Sequence, residues 1–369
     1  MPDEFDPTLD LGLPPDRFAI VTCRGFLTRH NDARILCEEY IENGRNFFDV
    51  LERYDMLTSY VLNREDATSG SYYKWCVPFL KAFGTTDHSL YKTLKDRVEL
   101  MPNASRTMKY ISDMLPTYIT TESYEHGMME VMDRLNAPLC DMSCTNLCMD
   151  QSLMGRVESR NVREVSKKVS CMTVPKKFYE LNVPTELYND DIEIIRTLDQ
   201  VITNEIPEAG AMSLMESTEA MTSHKKAYRM LDVRRLTGID LNNVMYIGSA
   251  STDFQPMDLV RDSSGLSIAY NGEEFAVRGC NVAILSEDTT VASLFAQMFT
   301  DKGPLAAYEL AKNWSREYLE NMSFPDVNLI RTFLREHPDE LPKVYAVDDS
   351  NVDKVSKESD KFRKKLLGD

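Results

Sequence analysis

No apolar run in this chain approaches the roughly 18 to 20 residues needed to cross a bilayer, and the acidic stretch Met1 to Pro15 has no apolar signal core. The expectation is a cytoplasmic protein with no membrane span. Positive charge is also scarce, with 42 lysines and arginines against 59 aspartates and glutamates and a net charge of −17. That balance argues against a nucleic-acid backbone or an anionic membrane as the main partner. It leaves room for a local basic pocket that binds a small anion. The five histidines, His30, His88, His126, His224 and His337, show no paired metal-ligand spacing. Glycine and proline are ordinary in number, and no glycine-rich linker divides the chain. With 43% hydrophobic residues, 369 residues suffice for one large domain with an insertion, or for two domains.

A disulfide framework is missing as well. The eight cysteines are spread through apolar segments, which implies reduced, mostly buried thiols. Cys140, Cys144 and Cys148 stand apart because they are spaced four residues from one another. On a helix they would share a face, and three thiolates could hold zinc or an iron–sulfur cluster. On a strand Cys144 and Cys148 would sit roughly 13 Å apart, too far to share a metal. The surrounding Thr, Asn and Ser residues favour strand or loop, so a cysteine-ligated metal protein stands as a second alternative reading.

What the chain does contain is organised around Phe18 to Thr28, Phe-Ala-Ile-Val-Thr-Cys-Arg-Gly-Phe-Leu-Thr. Four apolar residues make a short buried strand, and Gly25 lets the backbone turn where that strand ends. Residues 1 to 16 form a polar lead-in. Helical spacing then runs from Asn31 to about Tyr60, and again over 72 to 83, 88 to 99 and Asn103 to Leu115. Thr117 to Ser123 is β-prone and ends in hydroxyls before a helix that reaches Leu135, a setting suited to a phosphate oxygen or to a plain helix cap. Residues 151 to 222 read as polar and helical, with a methionine-rich stretch, Met212 to Met221, suited to an adaptable core or lid. A helix from Ser223-His-Lys-Lys stops at Gly238. Strands follow at Asn243 to Ile247, Leu266 to Tyr270 and Asn281 to Leu285, the last strand expected. From Val291 onward the pattern is helical, and the charged tail from Asp348 is expected to fray. Strands alternating with helices imply a parallel sheet covered on both faces.

Four of these stretches share the order and setting of the motifs of the haloacid dehalogenase (HAD) superfamily: Thr22-Cys-Arg-Gly, Thr120-Thr121, Lys225-Lys226 and Gly248-Ser-Ala-Ser-Thr-Asp253. More closely, Asn-Gly-Arg-Asn-Phe-Phe (43 to 48), Val-Pro-Phe-Leu-Lys-Ala-Phe-Gly (77 to 84) and Gly-Leu-Ser-Ile-Ala-Tyr-Asn-Gly (265 to 272) resemble an archaeal group of predicted HAD hydrolases that includes proteins described as subunit R of energy-converting hydrogenase A. The resemblance covers about residues 17 to 300. It implies an α/β fold with a HAD-like Rossmannoid core, a parallel sheet flanked by helices, and helical cap insertions. The core would take 17–29, 100–150 and 223–300, the cap 30–99 and a second insertion 151–222, with C-terminal helices and a charged tail over 301–369.

In that family an aspartate nucleophile and an aspartate acid/base, two residues apart, follow the first strand. A hydroxyl and a lysine hold the phosphate, and further acids hold magnesium. Carried over residue by residue, Thr22 stands at the nucleophile and Arg24 at the acid/base. Thr121 or Thr120 keeps the hydroxyl, and Lys225 or Lys226 keeps the lysine. Ser249 replaces the first acid of the fourth motif, and Asp253 keeps the last. Arginine cannot serve as a carboxylate base, and a threonine hydroxyl needs an activating base. Magnesium would find one carboxylate where it needs hard oxygen ligands. The expectation is therefore a non-catalytic protein with no cofactor that recognises a small anionic or phosphorylated ligand, or a protein partner. In it Arg24 would replace the metal and pair with Asp253, or else lie at a surface turn. The alternative is an active phosphoric monoester hydrolase with atypical residues, using magnesium.

Overall fold

The computed structural model describes residues 15–173, 188–208 and 212–368. Most of the lead-in and two pieces of the second insertion, 174–187 and 209–211, lie outside these. Seven strands form one sheet in the order β3-β2-β1-β4-β5-β6-β7. They are β1 Phe18–Val21, β2 Thr117–Tyr124, β3 Asp141–Thr145, β4 Val244–Gly248, β5 Leu266–Tyr270, β6 Val282–Leu285 and β7 Lys343–Ala346. The first six are parallel, with Ala19 opposite Thr117 on one side of β1 and Phe18 opposite Val244 on the other. β7 runs antiparallel to β6.

The unbroken apolar runs of β1 and β4, and the fully buried β5 in which Ser267 donates to the Gly279 carbonyl, follow from this topology, because both faces of a parallel sheet are covered. Alternate residues supply the two faces. Ala19, Val21, Met245, Ile247, Ile268 and Ile284 enter one hydrophobic cluster, while Phe18, Ile20, Val244, Tyr246 and Ala283 enter the other. A third cluster joins the helices Asp32–Tyr40, Gly44–Met56, Tyr72–Ala82 and Asp87–Lys95 to residues between Leu147 and Ala220. The two helical insertions thus share one apolar core. Leu214 and Met215 of the methionine-rich stretch are buried there, and Trp75 is a core residue.

Strand order changes direction at β1. The chain leaves β1 toward β2 and β3 on one side and returns as β4, β5 and β6 on the other. The crevice between the carboxyl ends of β1 and β4 is therefore the switch point where ligands of open α/β sheets bind. The insertions close over it. Tyr60 stacks on Phe275 with ring centroids 4.2 Å apart and donates its hydroxyl to the Ser251 carbonyl. Ser69 Oγ lies 3.1 Å from Ser251 Oγ, and its carbonyl accepts from Ser223 N at 2.8 Å.

The C-terminal region departs from the expected pattern. β7 is a seventh strand beyond the expected last one, and the tail does not fray: Val352–Leu367 is a helix with Val355, Ser356, Ser359 and Arg363 buried. Its polar composition hid a packed face. Leu310, Leu319 and Phe333, in the preceding helices, pack against the sheet as well.

Asp55, near the end of Gly44–Met56, is buried and accepts from the backbone N–H groups of Gly70 (2.7 Å) and Ser71 (3.0 Å). Burial pushes its carboxyl pKa up to about 8, against the lowering effect of those donors. A raised acid pKa stabilises the fold through the neutral form. That contribution is complete below the unfolded value and is lost as pH rises through about 8. Asp55→Asn, which cannot titrate, is therefore expected to compare more favourably with the parent at pH 9 than at pH 5 in urea unfolding. An unchanged difference would show that Asp55 does not titrate in this range.

Candidate functional site

The sheet edge places the motif residues together and buries them. Thr22, Thr121, Lys226, Ser249 and Asp253 all have no exposed surface. Thr22 continues β1, donating its backbone N–H to the Ile247 carbonyl at 3.0 Å. Its hydroxyl is buried and meets no hydrogen-bond partner among the described residues. Between Thr22 and Arg24, burial pushes the Cys23 thiol pKa up, and Cys23 Sγ lies 3.6 Å from Met128 Sδ. That thiol is a packed side chain and not a replacement nucleophile.

Gly25 follows with φ +86°, a left-handed conformation that disfavours side chains. A Cβ there would fall 2.1 Å from Ser249 Oγ and 2.7 Å from Arg363 Nη1. Glycine is what lets this turn lie directly against the fourth motif.

Of the two candidate lysines, only Lys226 enters the site. Thr222 caps the helix Ser223–Thr237, and the first turn points Lys226 inward while Lys225 is exposed. Lys226 Nζ donates to Glu122 Oε2 (2.7 Å), Thr252 Oγ1 (2.9 Å) and Asp253 Oδ1 (2.8 Å). Burial alone would lower the lysine pKa, but attraction from Asp253 and Glu122 outweighs it and holds the group above its usual value. Burial would likewise raise Glu122, yet Lys226 keeps it below the usual carboxylate range. The result is a charged triad sealed from water, with one cation between two anions.

Asp253 is fully engaged. Oδ1 accepts from Lys226 and from the Tyr246 hydroxyl (3.0 Å), and Oδ2 accepts from Ser249 N (2.9 Å) and Ala250 N (3.0 Å). Thr120 Oγ1 lies 3.2 Å from the Tyr246 hydroxyl, whereas Thr121 Oγ1 bonds Ser123 Oγ within β2 itself. The expected pairing of Arg24 with Asp253 is corrected, since Arg24 is not among the aspartate's partners. Arg24 is nearly buried, also unlike a surface turn residue, and its Nη1 lies 3.7 Å from Glu52 Oε1 on the cap helix. Lys226 holds Asp253 because it approaches from the helix packed over that edge.

Another cation comes from outside the four motifs. Arg363 on the C-terminal helix donates from Nη1 to Ser249 Oγ (2.7 Å) and the Asn271 carbonyl (3.1 Å), and from Nη2 to Glu273 Oε1 (3.0 Å). Asn271, which in sequence signals a turn, donates to the carbonyls of Gly25 and Ser286 and ties the edge together. Magnesium fits this donor set poorly. The Asp253 carboxylate already has four hydrogen-bond donors, Thr22 and Arg24 offer a hydroxyl and a guanidinium, and a second guanidinium lies on Ser249. Glu122 had one sequence signal, a carboxylate inside a β-prone stretch. Arg363 had none.

The three cysteines do not converge. Cys144 is buried in β3, Cys140 and Cys148 are exposed, and no cluster of three or more potential metal ligands occurs among the described residues. No helix among these residues is long and apolar enough to cross a membrane.

No family model matches the chain, and no curated protein matches it. Among solved structures, a gene product of Archaeoglobus fulgidus is similar over 95% of this chain and 97% of that one, with a TM-score of 0.76 and 18% identity. That likeness shows a shared fold. A phosphoserine phosphatase in apo form is similar over 74% of this chain and 95% of its own, with a TM-score of 0.44 and 9% identity. A HAD-family hydrolase from Salmonella enterica subsp. enterica serovar Typhi covers 71% and 65%, with a TM-score of 0.42 and 12% identity. The mostly parallel sheet, its order around β1 and the helices inserted over its carboxyl edge make the architecture an open α/β, Rossmann-like fold with helical insertions.

Replacing Lys226 would strand two buried carboxylates. Lys226→Met is expected to lower unfolding stability by about 3–5 kcal/mol, whereas the exposed Lys225→Met should stay within about 0.5 kcal/mol of the parent. Urea titration of both variants checks this, and equal effects would contradict the assignment of Lys226 as the buried lysine.

Proposed function

We propose that this chain is a non-catalytic HAD-like protein that recognises an anionic ligand, such as a phosphorylated metabolite, or a protein partner. One observation carries the reading: the groups expected to handle phosphate and metal bind one another. Lys226 is held by Glu122 and Asp253, and Asp253 by Tyr246 and two backbone N–H groups.

The chemistry at the altered positions supports it. An aspartyl-phosphate needs a carboxylate where Thr22 stands. The threonine hydroxyl has no base to take its proton, since nothing among the described residues accepts from it. Arg24 holds its protons at every working pH and cannot relay one as a general acid/base. With no cation site suited to magnesium, leaving-group departure lacks its usual charge stabilisation. What remains is a closed, mutually hydrogen-bonded frame that positions Arg24 and Arg363 beneath the insertions.

The test is hydrolysis of p-nitrophenyl phosphate by the full chain with and without magnesium, alongside Thr22→Val. No magnesium-dependent turnover is expected. Thr22→Val should leave stability unchanged or raise it, because it removes a buried hydroxyl that bonds nothing. Magnesium-dependent hydrolysis that disappears in Thr22→Val would overturn the proposal in favour of an atypical phosphatase.

A further inference from the structure

Beyond the sealed triad lies an open cleft of about 680 Å3 between the cap and the C-terminal helix. Its size falls in the range of small-molecule sites. Its charge is opposite to that of the protein. Eight lysine and arginine side chains line it against five carboxylates, in a chain whose net charge is −17. A concave cluster of one sign focuses the local field and raises the concentration of counter-charged ligand.

Helix geometry explains how the charges converge. On Gly44–Met56, Arg45, Asp49, Glu52, Arg53 and Met56 recur at intervals that keep one face toward the cleft. On Val352–Leu367, Lys357, Asp360, Lys361 and Lys364 do the same. Arg24 and Arg363 are the cations most removed from solvent, with side-chain exposures of 7% and 1%. Phe275 and Met56 contribute a small apolar surface.

Neutralisation within the cleft is uneven. Glu52 lies 3.7 Å from Arg24 and 3.8 Å from Arg53, Asp49 3.2 Å from Arg34, Glu273 3.0 Å from Arg363 and Asp360 2.6 Å from Lys364. Arg45, Lys357 and Lys361 have no ion pair among the described residues, Arg45 donating only to the Gly368 carbonyl at 3.4 Å, and all three are exposed. Such a face would ordinarily be a solvated one. Here the cations sit on two helices around one concavity, too far apart along the chain to arise from a single helical stripe.

We infer that this cleft binds a small organic polyanion, a compound bearing two or more phosphoryl or carboxylate groups, held between Arg45 on the cap and Lys357 and Lys361 on the C-terminal helix. A guanidinium can grip either group through two parallel N–H donors, and the lysines supply point charges. Two or more anionic groups are needed to engage both helices together. The inference rests on the anion-recognition reading above and gives it a location and a ligand class.

Isothermal titration of the full chain with inorganic pyrophosphate, citrate and inorganic phosphate tests it. Pyrophosphate or citrate is expected to bind saturably at least tenfold more tightly than phosphate, and more weakly as salt is raised. Whichever binds identifies phosphoryl or carboxylate chemistry. The triple variant Arg45→Ala/Lys357→Ala/Lys361→Ala should weaken that binding at least tenfold with an unchanged circular dichroism spectrum, and Lys361→Glu alone should weaken it in the same direction. Absence of binding, or binding untouched by these variants, would overturn the inference. Magnesium-dependent ester hydrolysis would instead overturn the non-catalytic reading while leaving the cleft assignment standing.

Discussion

The structure depends on one buried cation. Lys226 sits between Glu122 and Asp253 at the carboxyl edge of the sheet, and without it both carboxylates would be buried without their cation. Each partner belongs to a different element: the lysine to the first turn of Ser223–Thr237, Glu122 to β2 and Asp253 to the turn after β4. The triad is therefore a three-way tie across the switch point. It also leaves Lys226 with its charge already met by two carboxylates.

A second tie comes from the far end of the chain. Arg363 reaches Ser249, Asn271 and Glu273 from the C-terminal helix, and Gly25 leaves the space that its guanidinium and the Ser249 hydroxyl occupy. The helix carrying it shows its inner face, with Ser359 donating to the Gly272 carbonyl at 2.7 Å, to the turn after β5. The same helix presents its lysines outward to the cleft. One element thus closes the edge with one face and lines an open cavity with another, separating a structural use of positive charge from an available one.

The frame was legible in the residues. The largely apolar runs at Phe18–Val21, Val244–Gly248 and Leu266–Tyr270, interrupted only by Ser267 in the last, mark central strands because a parallel sheet buried on both faces does not alternate apolar with charged residues. Gly238 ends its helix at φ +73°, and Thr222 starts it with a side-chain cap, both local signals. Thr22, Thr120, Thr121, Ser249 and Asp253 lie together, buried, at the carboxyl edge of the sheet. The C-terminal strand and helix were hidden because Lys343–Ala346 is short and half-buried, and Val352–Leu367 is polar enough to read as solvated.

The sequence by itself determined the strand order's raw material, the position of the turn at Gly25 and the placing of Thr22 and Arg24, a hydroxyl and a guanidinium, just after the first strand. These are local properties, set by residue type and backbone preference. Tertiary structure alone decided which lysine entered the site, that Asp253 pairs with Lys226 and not with Arg24, and that Arg363 belongs to the edge at all. Those outcomes depend on distances between residues up to 114 positions apart, as between Arg363 and Ser249, and electrostatic partners at such separations are chosen by packing. Phe18 to Thr28 supplies the frame, and the helices that fold back over it determine what its charges can bind.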